Sequence, residues 1–264
     1  MSRRSVRAER RLFLADGPKA VQGALRVPGC VVEVFATPAG LETYADLLTA
    51  APAVTPVDDR AMAGISDSVT PAGVVALCRF FDVPIDSVVA SAASETSATS
   101  ATSATSARSG GPVVICADVR DPGNAGTVIR CADAAGAAGV VLAGDSVDLY
   151  NPKTIRASVG SAFHLPIAVE RDPAAAVRVA RAAGLSVLAA DGGGDVDLFD
   201  AGELLAGRVA WLFGNEAWGL PTELAALADQ VVSIPIFGAA ESLNLSTATA
   251  LCLYASAAAR RGSG

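Results

Sequence analysis

Histidine is almost absent: His164 is the only one in 264 residues. That excludes a two-histidine metal site and most histidine-based acid–base machinery. The five cysteines (Cys30, Cys78, Cys116, Cys131 and Cys252) are odd in number and at least fifteen residues apart. This excludes a Cys-Cys zinc knuckle and argues against a disulfide framework, so a reduced, cytoplasmic protein with no metal site is expected. Charged residues make up 18% and aromatics 5%, against 52% hydrophobic residues dominated by Ala, Val and Leu. The chain as a whole is therefore too apolar to be disordered. A long apolar run is missing as well. The charge-free stretch Ser242 to Ala259 carries Asn244, Thr247, Thr249 and three serines, too polar for a lipid-facing span, so no membrane partner is expected. The arginine-rich start lacks the apolar core of a secretory signal. Positive charge is also in deficit: the net charge of −7 weighs against nonspecific affinity for nucleic acid. Against that, Arg3, Arg4, Arg7, Arg10 and Arg11 crowd the first eleven residues. They fit a solvated tail as well as a phosphate-binding arm.

What is present is a repeating alternation. Residues 112–264 carry apolar β-rich runs at PVVICA, GVVLAG, LPIAV, LSVLAA, RVAWLF and QVVSIPI. Helical patterns stand between several of them, which predicts an α/β fold with a mostly parallel, buried sheet. In such sheets ligands gather at the carboxyl ends of the strands. Residues 1–90 alternate LFLAD, VVEVF and PAGVVAL with the helical KAVQGAL and LETYADLL, and read as a small α/β domain. Between the two, residues 91–111 are mostly Ser, Ala and Thr, with the tandem SATSATSATSA. This reads as a flexible linker with a mean reach of about 25 Å.

Familiar nucleotide loops are missing. No G-x-G-x-x-G follows the first strand of the larger region, no G-K-[ST] occurs, and DGGGD at Asp191–Asp195 reads as a mobile turn. Three other stretches stand out. In DPGNAGTVIRCADAAGA, Asp121 to Ala137, Asn124 is a good helix N-cap, and Ala125, Val128, Ile129, Ala132 and Ala135 make one apolar stripe. Arg130 lies nearly opposite that stripe; spacing alone favours an ordinary solvated arginine. In WLFGNEAWGL, Trp211 to Leu220, an apolar strand ends at Gly214 and puts Glu216 at a strand's carboxyl end. In SIPIFGAAESLNLSTATALCLY, Ser233 to Tyr254, a strand closes on Ile234 and Ser242-Leu243-Asn244 opens a helix, with Ser242 suited to cap it.

Taken together and in this order, the stretches resemble the SpoU (TrmH-like) branch of the SPOUT RNA methyltransferases. The three signatures are N-x-G-x-x-x-R from Asn124 to Arg130, G-N-E-x-x-G-L from Gly214 to Leu220, and I-P-x-x-G-x-x-x-S-L-N from Ile234 to Asn244. YNPKTIRASVGSAFHLPI, Tyr150 to Ile167, is similar to the same family. RLFLADGPKAVQGAL and VTPAGVVAL resemble, more weakly, the substrate-binding domain that precedes many such enzymes. The resemblance implies a deep trefoil knot, a homodimer, S-adenosylmethionine as methyl donor and a ribose 2′-hydroxyl of structured RNA as acceptor. The two-part organisation resembles the thiostrepton-resistance type, which implies ribosomal RNA. A tRNA enzyme of the same branch, a noncatalytic RNA-binding assembly factor and a small-molecule methyltransferase are the alternatives.

Carried over by motif, Gly214, Ile234 and Leu243 contact the cofactor, with the loop at Ala190–Asp191 as an addition. Arg130 clamps the acceptor's phosphate and ribose. Asn124 orients Arg130, Ser242 and Asn244 shape the ribose site, and Glu216 fixes its loop. For Ser242 and Asn244, helix capping is the competing reading.

Overall fold

The computed structural model describes residues 3–93 and 110–262. It contains two sheets. The larger is seven-stranded, and every neighbouring pair in it is parallel. The smaller is four-stranded and mixed.

In chain order the small sheet is made by β1 (Leu12–Asp16), β2 (Val31–Ala36), β3 (Val54–Pro56) and β4 (Val74–Arg79), in the spatial order β1-β4-β2-β3. The large sheet holds β5 (Val113–Ala117), β6 (Gly139–Ala143), β7 (Ile167–Glu170), β8 (Ser186–Ala190), β9 (Val196–Asp197), β10 (Val209–Phe213) and β11 (Gln230–Ser233), ordered β7-β6-β5-β10-β8-β11-β9. The six apolar runs are six of these strands. β5, β6 and β10 are buried along their whole length, as strands covered on both faces must be. β3 and β9, of three and two residues, are additional edge strands.

The helix Pro122–Ala135 follows β5. Its N-cap is Asp121, whose carboxylate accepts the Asn124 N–H at 2.7 Å; Asn124 lies inside the first turn rather than capping it. Proline is at home at the first helical position, where its missing N–H costs nothing. The predicted stripe is buried except for half-buried Ala135, and Arg130 is exposed. Gly126 lets this helix meet the helix Pro152–Ala157 closely: a Cβ there would stand 2.5 Å from Thr154 O and 2.6 Å from Ala157 Cβ. The last helix runs from Leu245 to Gly262 and packs along the Pro122–Ala135 helix. It starts three residues after Ser242, so Ser242 does not cap it; Asn244 accepts the Ser246 N–H at 2.9 Å instead.

The start of the chain departs from the reading as a solvated tail. Residues Arg4–Arg10 form a helix, and Arg7 is buried, its Nε and Nη2 donating to Asp148 Oδ2 at 2.9 and 2.6 Å. Nearby, Phe13, Phe80, Phe81, Tyr150 and Phe163 form one aromatic cluster joining the two sheets, with Phe80 stacked on Tyr150 at 3.6 Å. The Tyr150 hydroxyl donates to Asp82 at 2.5 Å and accepts the N–H groups of Phe81 and Asp82. Burial, reinforced by the Asp82 carboxylate, holds this phenol protonated far above its ordinary range.

The helix Ile85–Ala93 lies against β6 and β7 and enters the first three residues of the segment read as a linker. Residues 94–109 of that segment lie outside the described residues.

Candidate active site

The carboxyl ends of β8, β10 and β11 surround a cavity of about 310 Å³. Of the predicted residues, Ala190, Asp191, Gly214, Glu216, Ile234, Ser242 and Leu243 line it. Sequence reasoning missed nine more in the same wall: Gly192, Phe213, Asn215, Ala217, Gly219, Ile236, Glu241, Leu245 and Ala248. Gly192 belongs to the DGGGD turn and the other eight are in or beside the motif stretches, so proximity to the motifs was the available signal for those eight.

Gly214 makes this wall possible. A Cβ there would fall 2.6 Å from Leu220 N and closer still to the Gly219 carbonyl, because the chain folds straight back on itself. Asn215 and Gly219 exchange backbone hydrogen bonds at 3.0 and 2.9 Å. The buried Asn215 amide donates to Asp118 O at 2.6 Å and accepts the Ala217 N–H at 2.8 Å. Gly219 has φ +68°, a backbone conformation costly for residues with a Cβ. Motif matching gave Asn215 no role, yet it shapes the turn.

At the rim, the three motifs meet through side chains. Glu216 accepts the N–H groups of Arg120 and Asp121 at 3.3 Å each, and Asn124 Nδ2 at 3.1 Å. Its carboxylate thus serves the start of the Pro122–Ala135 helix, where unpaired N–H groups and the helix dipole favour negative charge. Asn124 Oδ1 in turn accepts from Asn244 Nδ2 at 3.0 Å. Asn244 Oδ1 takes both the N–H and the hydroxyl of Ser246. Asp121 is held below the usual carboxylate range by the Asn124 N–H, with Lys153 at 3.5 Å adding to it.

Arg130 stands apart from this chain of bonds. It is exposed and its side chain makes no hydrogen bond or ion pair with another described residue, and Asn124, committed to Glu216 and Asn244, does not hold it. Its guanidinium is open to a ligand. Among the described residues no group of three or more His, Cys, Asp or Glu is placed to hold a metal ion. Nor is any helix among them long and apolar enough to cross a membrane.

Residues 111–254 match the SpoU rRNA Methylase family. The chain belongs to that family. Likeness to SpoU proteins extends through the small sheet as well. The 23S rRNA (guanosine(2553)-2′-O)-methyltransferase RlmP of Bacillus subtilis (strain 168) is 31% identical over 255 residues, covering 94% of this chain and 89% of that protein. The AdoMet-bound rRNA methyltransferase of Sinorhizobium meliloti is 33% identical, with a TM-score of 0.77 over 99% of this chain and 91% of that one. The SpoU methyltransferase AviRb of Streptomyces viridochromogenes, in complex with AdoMet, is 28% identical, with a TM-score of 0.81 over 99% and 95%. The strand order and the motif positions described above are therefore a SpoU methylase fold, whose α/β knot fits this arrangement.

Proposed function

We propose that this protein is an S-adenosylmethionine-dependent methyltransferase acting on a ribose 2′-hydroxyl of ribosomal RNA. One observation carries the reading. The cavity and the Glu216–Asn124–Asn244 chain adjoin at the ends of the parallel strands, in a fold shared with AdoMet-bound relatives. The relatives described above are rRNA methyltransferases, which favours ribosomal RNA over tRNA.

The lining suits the donor. Ile234, Ile236, Leu243, Leu245 and Ala190 supply apolar walls for a purine, and Asp191, Glu216 and Glu241 supply carboxylates for a cationic, hydroxyl-bearing ligand. When bound, the cofactor supplies a methyl group activated by a positively charged sulfur. What remains for the protein is alignment and help for the acceptor hydroxyl in losing its proton.

Arg130 is assigned the clamp on the acceptor's phosphate and ribose. Its two-pronged guanidinium pairs with phosphate oxygens and lowers the cost of the developing alkoxide. It does not act as the base, because a guanidinium is a donor with no lone pair free to accept a proton; the RNA phosphate is the better acceptor. Asn124 and Glu216 position Asn244, and Asn244 with Ser242 borders the ribose site.

The working unit in this reading is a homodimer in the cytoplasm. Leu251 and Tyr254 are exposed on the Leu245–Gly262 helix, and Ile236 and Phe237 on the adjoining loop, an apolar surface suited to a two-fold partner. The small sheet, with residues 1–90, is assigned to gripping RNA by shape and phosphates.

The test is methyl transfer from radiolabelled S-adenosylmethionine to deproteinised ribosomal RNA, with the label mapped to sugar or base. Alkali-resistant dinucleotides carrying a 2′-O-methyl group are expected. Absence of cofactor binding by calorimetry, or label confined to bases, would overturn the proposal.

A further inference from the structure

Trp218 is a large side chain at the rim of this site with no part in the cavity. Its chain neighbours Asn215, Glu216, Ala217 and Gly219 line the cavity, and Trp218 does not. The indole is 59% exposed, which leaves a sizeable apolar surface in water. The turn that carries it is held by the paired backbone of Asn215 and Gly219 and by the buried Asn215 amide.

Beside it stands Arg120, its guanidinium carbon 6.0 Å from the indole centroid. Arg120 also pairs with Asp145 at 3.3 Å, where both side chains are more than half exposed, and such a pair is weak and exchangeable. The Arg120 backbone is itself bonded to Glu216, so indole and guanidinium are both tied to the Asn124 chain. The groups adjoining the pair, Asp145 and Glu216, are exposed carboxylates, so a phosphate reaches Arg120 by displacing Asp145 from it. A second copy of the chain would instead call for an apolar surround.

We propose that Trp218 and Arg120 form a nucleobase platform, on which an unpaired base next to the acceptor nucleotide stacks while Arg120 takes its phosphate. An aromatic face with an adjacent guanidinium is the complement of a base with its phosphate, and splayed single-stranded nucleotides are the RNA form that exposes both. The proposal rests on the methyltransferase reading and adds to it a contact outside the three-motif chemistry. It implies that the acceptor's neighbour is unstacked in the bound RNA.

The chain has two tryptophans, and the other, Trp211, is fully buried with its indole N–H bonded to Ser256 at 2.9 Å. The emission of Trp218 is therefore the difference between the protein and its Trp218→Phe variant. The full-length protein is titrated with a mixed-sequence single-stranded RNA dodecamer and with the blunt duplex of the same sequence. Single strands should quench the Trp218 component, and the duplex, whose base faces are covered, should not. Trp218→Ala should weaken single-strand binding about tenfold, and Trp218→Phe, which keeps a ring face, by less than about threefold. S-adenosylmethionine affinity should be unchanged in both.

Unchanged emission on binding the single strand, or equal losses in the Ala and Phe variants, would overturn the platform while leaving the methyltransferase reading standing. Shielding of Trp218 from acrylamide in RNA-free protein would assign the indole to a partner copy and overturn it equally. A wild-type protein that binds neither cofactor nor RNA would overturn the methyltransferase reading and the platform with it.

Discussion

Arg7→Ala should destabilise the protein by about 4–5 kcal/mol, although Arg7 lies in the most conspicuously charged stretch of the chain. The guanidinium is 3% exposed and Asp148 is 14% exposed, so both members of the pair are withdrawn from water. Removing one partner of a buried pair costs about 3–5 kcal/mol, because the survivor stays buried without its counter-charge. Asp148 keeps the Tyr150 N–H at 3.1 Å and some access to water, which places the electrostatic loss near the lower end of that range. Lost packing of the arginine stem adds about 0.8 kcal/mol per buried methylene. For a protein of this size that corresponds to a melting temperature lower by roughly 8–20 °C. Thermal and urea unfolding at one fixed protein concentration measure it, the concentration being held because association stabilises folded chains. Arg4→Ala and Arg10→Ala, both at exposed positions, are the controls and should stay within about 0.5 kcal/mol of the parent. Combining Arg7→Met with Asp148→Asn should cost less than the sum of the two single changes, since neither partner then stays buried and charged alone. If Arg7→Ala unfolded like the two controls, the helix Arg4–Arg10 would be a solvated tail and the argument from burial would fail.

Two further expectations concern the site. Arg130→Lys keeps the charge and loses the planar fork, so turnover on RNA should fall on the order of 10²-fold with cofactor affinity intact; preserved turnover in a paired assay would make Arg130 an ordinary surface arginine. Gly214→Ala places a methyl group against the Gly219 carbonyl and Leu220 N, which must push the Asn215–Gly219 turn open, so cofactor binding by calorimetry should weaken at least about tenfold; unchanged affinity would show that this turn does not form the cofactor wall.

Much of the larger sheet was legible because strands buried on both faces must be apolar almost without interruption, and VVICA, GVVLA and VAWLF are. Val196–Asp197 has no such run, being two residues at a sheet edge. The helix Arg4–Arg10 was hidden for another reason. RSVRAER has no apolar stripe, and what fixes it is a carboxylate 141 positions away. Asp121 and Asn124 are both competent caps by residue type, and Pro122 at the first helical position decides between them. The residues around the cavity were legible as motifs, whereas the bonds from Glu216 to Asn124 to Asn244 were not. They depend on β10 lying beside β5, and periodicity carries no information about strand order.

The bond between Asn124 and Asn244 spans 120 positions, and that separation has a temporal meaning. A chain made from its N-terminus exposes Pro122–Ala135 long before Ile234–Ala248 exist, so the first half of the site waits, open and apolar, for the second. Closing so long a loop is slow compared with forming the helices themselves. The same late segment supplies the Leu245–Gly262 helix that covers the Pro122–Ala135 helix. Completion of the Asn124–Asn244 bond and cover for the Pro122–Ala135 helix therefore depend on the same late segment, and a chain without it has neither.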